Sequence, residues 1–260
     1  GSAAIAGGNQ SVALGAANSS GVQSFSAQIN NTDTAYGATG ANSISIGKSS
    51  QATGTQAIAI GKEARSLGYA SIAIGDGSRG NANWSVATGY NAKSYGDKSH
   101  ALTNSYASGA DSFAAAIANN TSSYGATGAN SIAMGDRSSA SGSRGIAIGG
   151  FGALASGVSS LAFGYQATAN QIYSSGFGYA SKAYGQYSWA GTQSHASGLR
   201  SVALGIGDTT TTYGAQHTSG VAIGYQAVTT ADKQIALGSS TTPVKVSGAY
   251  TLPTADGTAN

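Results

Sequence analysis

The chain has 260 residues, and only 8% of them are charged, about a third of the share in an ordinary soluble domain. It contains no cysteine, which excludes a disulfide scaffold, and no apolar run approaches the roughly 20 residues of a membrane helix. The net charge of +3 is spread along the sequence, with no basic run of the kind that grips nucleic acid or anionic lipid.

A five-residue motif of Ser, aliphatic, Ala, aliphatic and Gly recurs along the chain. Successive copies begin 13 to 15 residues apart, except at three places where the spacing is 19. Such regular hydrophobic spacing is typical of a folded repeat protein. Clear copies occupy 11–15, 43–47, 57–61, 71–75, 85–89, 131–135, 145–149, 160–164, 201–205, 220–224 and 234–238, and degenerate copies occupy 24–28, 99–103, 112–116, 174–178 and 188–191.

A longer period is superimposed on the 14-residue one. Ser24 and Ser112 begin equivalent blocks 88 residues apart, and Ser201 begins the next block 89 residues later. The nearly identical segments "YGATGANS" at 36–43 and 124–131 each end an elongated 19-residue unit. Duplication of whole blocks accounts for this identity better than selection for one binding motif.

Fourteen residues hold two short strands and two turns but not a helix hairpin. The aliphatic residues alternate as in a strand, and the closing Gly suits a corner with positive φ. Stacked units of this kind predict an all-β, parallel β-solenoid of about 14-residue coils. Fifteen steps at about 4.8 Å give a rod roughly 70 Å long.

The two faces of the motif strand are both low in polarity, which predicts that both are covered. We expect the aliphatic residues to form the core: Val12, Leu14, Ile44, Ile46, Ile58, Ile60, Ile132 and Met134. The alternating alanines are then expected to line a contact with a neighbouring chain: Ala59, Ala73, Ala133, Ala147 and Ala203. The sequence therefore predicts an oligomer.

The coil pattern, as in "SIAIGDGSRGNANWS" at 71–85, resembles the head of YadA-like trimeric autotransporter adhesins over residues 3–238. The resemblance implies a left-handed parallel β-roll and a homotrimer with three chains side by side. It also implies a bacterial cell-surface protein, extracellular at the outer membrane. Its expected partners are a host extracellular-matrix protein, a cell-surface glycan or another surface, including an abiotic one, with a role in virulence; nucleic acid binding and membrane insertion of this segment are not expected.

The remaining segments differ from the repeats. Residues 1–2 read as a cloning remnant. Residues 239–260 contain both prolines and no heptads, and they resemble connectors of phage tail fibres and related trimeric bacterial fibres. A receptor-recognition segment of a virion tail fibre or a predatory-bacterium fibre is therefore the alternative function.

The sequence offers little to catalysis, and we expect no catalytic, cofactor or metal site. One glutamate and eight aspartates are scattered, whereas glycoside hydrolysis normally needs a facing pair. This disfavours a solenoid enzyme acting on carbohydrate. His100 takes a slot that is usually aliphatic, and threefold symmetry could gather its copies, but an ordinary packed histidine is the better interpretation. An ice-binding solenoid is disfavoured because 209–212 is the only Thr cluster.

The three elongated units are the candidate ligand-contact regions. Polar loops that project from a rigid scaffold commonly carry binding, and tyrosine is enriched at binding surfaces. The candidate contact residues are Tyr36, Tyr124, Tyr213, Asn31, Asn119 and Thr210. Four further tyrosines follow corner glycines and are expected to be exposed: Tyr90, Tyr165, Tyr179 and Tyr225.

Overall fold

The computed structural model describes residues 4–27, 35–117, 122–207, 211–239 and 241, and its regular structure there is entirely β. Thirty short strands form two parallel sheets, one of 16 strands and one of 14. Each coil contributes one strand to each sheet until the last coils. The predicted all-β parallel solenoid with coils of about 14 residues is confirmed.

The 16-stranded sheet, here the motif sheet, holds every copy of the motif found in the sequence. Its strands are β2 (Val12–Leu14), β4 (Phe25–Ala27), β6 (Ile44–Ile46), β8 (Ile58–Ile60), β10 (Ile72–Ile74), β12 (Val86–Thr88), β14 (His100–Leu102), β16 (Phe113–Ala115), β18 (Ile132–Met134), β20 (Ile146–Ile148), β22 (Leu161–Phe163), β24 (Ser175–Phe177), β26 (Trp189–Ala190), β28 (Val202–Leu204), β29 (Val221–Ile223) and β30 (Ile235–Leu237).

The 14-stranded sheet, here the return sheet, is built from two-residue strands in the second half of each coil. They are β1 (Ile5–Ala6), β3 (Asn18–Ser19), β5 (Gly37–Ala38), β7 (Gln51–Ala52), β9 (Arg65–Ser66), β11 (Arg79–Gly80), β13 (Lys93–Ser94), β15 (Tyr106–Ala107), β17 (Gly125–Ala126), β19 (Ser139–Ala140), β21 (Leu154–Ala155), β23 (Thr168–Ala169), β25 (Lys182–Ala183) and β27 (His195–Ala196).

Register places equivalent residues of successive coils directly above one another. Ile72 pairs with Ile58 on one side and Val86 on the other, while Ala73 pairs with Ala59 and Ala87. Every strand in the interior of a sheet pairs in this way with the coil before and the coil after it. A residue type repeated every coil therefore becomes a continuous row along the rod.

Glycine closes most copies of the motif, and at many of them the backbone of the next coil lies against it. At Gly61 φ is +130°, and an added Cβ would stand 2.6 Å from the carbonyl oxygen of Gly75. A side chain at this corner would therefore have to displace the backbone of the next coil. This confirms the predicted corner role of the motif glycine.

Serine opens most copies of the motif, and in several of them its hydroxyl completes the preceding turn, whereas the buried hydroxyls of Ser112, Ser160 and Ser201 have no hydrogen-bond partner among the described residues. Ser71 Oγ donates to the carbonyl of Gly68 at 2.8 Å, and Ser43 and Ser131 make the same bond three residues back. Ser66 Oγ also lies 2.6 Å from Ser71 Oγ across the coil. These bonds satisfy hydroxyl groups that have no access to water.

Candidate functional site

The interior of each coil is filled by small side chains, and this reverses the assignment made from the sequence. The alanines expected at a contact between chains have no exposed surface within the single chain: Ala59, Ala73, Ala133, Ala147 and Ala203. A side chain enclosed by its own coil cannot contact another subunit. The placement of these five alanines at a subunit interface is therefore wrong.

The aliphatic residues expected in the core face outwards instead. Val12, Leu14 and Met134 are exposed, and Ile44, Ile46, Ile58, Ile60 and Ile132 are half-buried. The aliphatic side chains face outwards because the two sheets of a 14-residue coil lie too close together to hold rows of branched side chains between them. Among the described residues, the largest fully buried side chains are those of Ile117 and Ile206. Asn18 and Thr229 come next by volume, and serines follow them.

The outward side chains of the motif sheet form two parallel rows, here called the apolar face. One row is Val12, Phe25, Ile44, Ile58, Ile72, Val86, His100, Phe113, Ile132, Ile146, Leu161, Ser175, Trp189, Val202, Val221 and Ile235. The other is Leu14, Ala27, Ile46, Ile60, Ile74, Thr88, Leu102, Ala115, Met134, Ile148, Phe163, Phe177, Leu204, Ile223 and Leu237. The face follows the rod along its length, and its members are mostly half-exposed.

Aromatic rings extend the apolar face in one region. Phe163 and Phe177 stack with centroids 5.6 Å apart and an interplanar angle of 4°, and Trp189 continues the series 5.9 Å from Phe177. The rings join the two rows of the face where Ser175 and Gly191 reduce side-chain bulk. Hydrophobic contact area is thus maintained across these coils.

The apolar face also contains a recess of about 480 Å³ lined by Leu102, Thr103, Asn104, Ala115 and Ala116. It arises where Ala115 replaces the larger aliphatic residue found in most coils. Its lining has no carboxylate, imidazole or thiol, so it places no general acid or base beside the hydroxyl of Thr103.

The predicted contact tyrosines lie at the base of the elongated coils. Tyr36, Tyr124 and Tyr213 are half-buried, and Tyr124 and Tyr213 pack against the alanine core. Asn31, Asn119 and Thr210 lie outside the described residues. The structure does not test contact between any of these six residues and a ligand.

The corner tyrosines are exposed, as the sequence predicts. Tyr90, Tyr165, Tyr179 and Tyr225 are each between 43% and 59% exposed. Tyr165 stacks between Phe151 and Tyr179 at centroid distances of 5.6 and 5.5 Å. Both faces of the Tyr165 ring are therefore covered by aromatic rings of neighbouring coils.

The three histidines occupy separate environments. His100 stands in the apolar face with its ring 5.7 Å from Phe113, whereas His217 Nδ1 lies 3.5 Å from Thr229 Oγ1. His195 is almost fully buried against Tyr184, and burial, followed by the charge of Lys182, lowers the pKa of His195. Within the described ranges, no three side chains of His, Asp or Glu converge as metal ligands.

Two walls of small interior residues, with a continuous apolar face outside one of them, define a parallel β-solenoid with one extended apolar surface. The family model for the YadA head domain repeat matches residues 38–64, 52–78, 126–151, 155–175, 190–207 and 218–241. These segments cover half of the chain, and the chain belongs to the YadA head domain family. Heads of this family are parts of surface-exposed trimeric autotransporter adhesins, so membership indicates an adhesin-type role at a cell surface.

No curated protein matches the chain. The described residues also contain no helix with the length and apolar character needed to cross a bilayer.

Proposed function

We propose that this chain is the non-catalytic head of a trimeric surface adhesin that attaches a bacterium to host matrix, cells or inert surfaces. The apolar face is the observation that carries the proposal. Its two rows run about 70 Å along the rod and lie about 7 Å apart. Treated as a flat strip, the face has an area of about 500 Å², and the protruding side chains add to it. Soluble monomers rarely leave larger apolar patches uncovered.

The proposed assembly has three left-handed solenoids side by side, each with its apolar face turned toward the other two. Family membership implies the homotrimer, and the apolar face supplies the surface that three copies need to bury. The outward side of each return sheet then stays in contact with water. The family match lends no support to the virion tail-fibre alternative.

The trimer is tested by placing a charge in the apolar face. Ile146→Glu buries a carboxylate at the proposed interface, and Ser139→Glu, on the outward row of the return sheet, is the matched control. One chain has a mass of 25.3 kDa, so the wild type and the control should give 3 × 25.3, about 76 kDa, by light scattering. A monomeric wild type, or an Ile146→Glu trimer of unchanged stability, would contradict the proposal.

Adhesion is assigned to the three elongated coils, which begin at Ser24, Ser112 and Ser201. The half-buried Tyr36, Tyr124 and Tyr213 fix the base of each coil, and Asn31, Asn119 and Thr210 are the further proposed contacts. Nine such coils in a trimer would turn weak individual contacts into avidity.

Shortening each elongated coil by five residues restores the ordinary repeat length and should abolish attachment of protein-coated beads to collagen or glass. The trimer mass and the melting temperature should stay the same, because the stacked coils are retained. Full attachment by the shortened protein would remove these coils from the adhesive surface.

A further inference from the structure

The fold gathers positive charge that is dispersed in the sequence. Six of the twelve Lys and Arg residues, but three of the nine Asp and Glu residues, fall between residues 48 and 98. This segment therefore has the whole net charge of +3, and the rest of the chain is neutral. The net charge is thus concentrated in one stretch of the chain, although that stretch contains no run of consecutive cations.

Three of these cations occupy one row on the outward side of the return sheet. Arg79 pairs directly with Arg65 in the coil before it and with Lys93 in the coil after it. We call Arg65, Arg79 and Lys93 the basic ladder. Adjacent rungs are about 4.8 Å apart, so the ladder places three positive charges along about 10 Å of the rod.

The arrangement is unfavourable for the protein alone. Like charges directly opposite each other on neighbouring strands destabilise a sheet. Partial burial and, to a smaller extent, the positive charge of Arg79 lower the pKa of Lys93. In the part of the chain that the structure describes, the ion pairs join Lys62 to Glu63 and Asp76, and Arg137 to Asp136, and none includes Arg65 or Arg79.

The row does not require cations for folding. Equivalent positions in other coils are occupied by Gln51, Ser139 and Thr168, all within the same sheet. Neutral side chains of several shapes therefore fit this slot. Arg65 and Arg79 are like charges on adjacent strands that no ion pair of the described residues offsets, and Lys93 adds a third cation to the same row. This row of positive charge points to a ligand that supplies negative charge.

The residues beside the ladder fit a sugar chain. Leu67, Asn81 and Tyr95 lie two residues after the three rungs, in the next outward row of the same face. An amide, a phenol and an apolar side chain suit the hydroxyl groups and apolar faces of sugar rings. Guanidinium groups bind oxyanions through paired N–H donors.

We propose that the basic ladder binds a linear acidic glycan, one whose sulfate or carboxylate groups lie along the rod axis at intervals of about 5 to 10 Å. The proposal deepens the adhesive function by naming a ligand class. It places the site on the side of the solenoid opposite the apolar face, so the site stays accessible when three chains associate. It is separate from the elongated coils.

Fluorescence anisotropy with a labelled heparin dodecasaccharide tests the ladder. The test variant is Arg65→Gln, Arg79→Gln and Lys93→Gln together, since Gln51 already occupies this row. The control is Arg144→Gln, Lys182→Gln and Arg200→Gln, which removes the same charge from dispersed positions. We expect at least a tenfold loss of affinity for the ladder variant and less than a twofold loss for the control.

Two further measurements separate this role from structural effects and from other polyanions. Relief of like-charge repulsion should leave the melting temperature of the ladder variant equal to or above that of the wild type. Wild-type affinity should fall with salt as expected for about three released counterions per chain. An unsulfated, carboxylate-bearing heparosan of equal length shows whether sulfate or carboxylate is preferred, and both results are consistent with an acidic glycan.

Four outcomes would overturn the inference. They are no binding of either glycan, equal losses in the two variants, a ladder variant that melts lower than the control, and tighter binding of a single-stranded DNA 12-mer than of either glycan. Beads coated with the ladder variant that still attach fully to glycan-bearing cells would reject the ladder but leave the adhesin function intact. Failure of wild-type beads to attach to any surface would instead reject that function.

Discussion

Ala73 has no surface exposed to water, whereas Ile72 and Ile74 on either side of it do. A coil with two closely spaced walls admits a methyl group or a hydroxyl, and any larger group must point away. Side-chain volume therefore decides which face of the motif strand points inwards. The hydrophobicity of the outward side chains then favours burial of that face against another surface. The alternation of alanine and aliphatic residues was visible in the sequence. Which of the two sets faces the interior depends on the distance between the two sheets, and the sequence of one strand does not contain that distance.

A larger side chain in the alanine row should therefore destabilise each chain. Ala73→Leu overpacks the interior and should reduce the free energy of unfolding by about 1–3 kcal/mol or more, measured by chemical denaturation. Ala73→Ser is the control, because Ser45 already occupies this row and bonds to Ser50 at 2.7 Å, and Ser78 stands five residues after Ala73 in the same way. Equal stability of the two variants would show that the interior has spare volume.

Buried His195 should make stability depend on pH. Burial and the charge of Lys182 lower its folded-state pKa below the ordinary value, so protonation favours the unfolded chain. The neutral ring has no such penalty above about pH 6.5, and stability is lost as the pH falls below that value.

The melting temperature of the wild type should consequently fall more between pH 7.5 and pH 5 than that of His195→Ser, a residue found at position 139 in the same row. His100 and His217 are present in both proteins and cancel in the comparison. Parallel melting curves across this range would show that His195 is protonated equally well in both states.

At the scale of the coil, the turns use an unusual backbone conformation at regular intervals. Residues just before the first position of the motif have φ near +55°, including Gln56, Trp84, Tyr173 and Arg200. None of the described non-glycine residues with positive φ is Val, Ile or Thr. The reason is steric, because a branched Cβ crowds the backbone in the left-handed region.

Substitutions at Gln56 should separate this backbone requirement from side-chain contacts. Gln56 is exposed and has φ of +61°. Gln56→Gly should be neutral or slightly stabilising, and Gln56→Val should cost about 1–2 kcal/mol in unfolding free energy. The two free energies can be measured by urea denaturation of both variants at one protein concentration. A valine variant as stable as the glycine variant would show that the turn relaxes to another conformation.

The coil repeat was predictable because local chemistry repeats with it. Serine at a turn, alternating small and aliphatic residues, and a corner glycine all recur at one spacing, so every motif copy lies in the motif sheet. The elongated coils are different, since their extra residues follow no such pattern. Their tyrosines could be located in the sequence, but the packing of Tyr124 and Tyr213 on the core depends on neighbouring coils.

For the whole molecule, the uniform register predicts that complete coils are removable units. Deletion of Ile132–Gly145 removes 14 residues and joins Ser131 to Ile146, which recreates a motif. The rod should shorten by about 4.8 Å in small-angle scattering and still unfold cooperatively.

The matched control removes only Ile132–Ser138, seven residues of the same coil. It brings a return strand into the place of a motif strand and should destabilise the protein strongly. Similar stability of the two deletions would show that the rod tolerates loss of register.

The basic ladder illustrates what sequence reading misses at this scale. Arg65, Arg79 and Lys93 are separated by 14 residues each, so a search for a run of cations passes over them. The same spacing, once the solenoid is recognised, puts them on consecutive rungs. Charge patterning in a repeat protein has to be examined along the repeat period.

The direction of the backbone hydrogen bonds has a mechanical consequence. They run from each coil to the next, as from Ile72 N to Ser85 O at 2.8 Å and from Arg65 N to Ser78 O at 2.9 Å. Tension along the rod would therefore stretch these bonds coil by coil, and a single solenoid chain would unfold from its end under modest force. Three solenoid chains packed side by side, as proposed, would share that force, which suits an attachment protein exposed to flowing liquid.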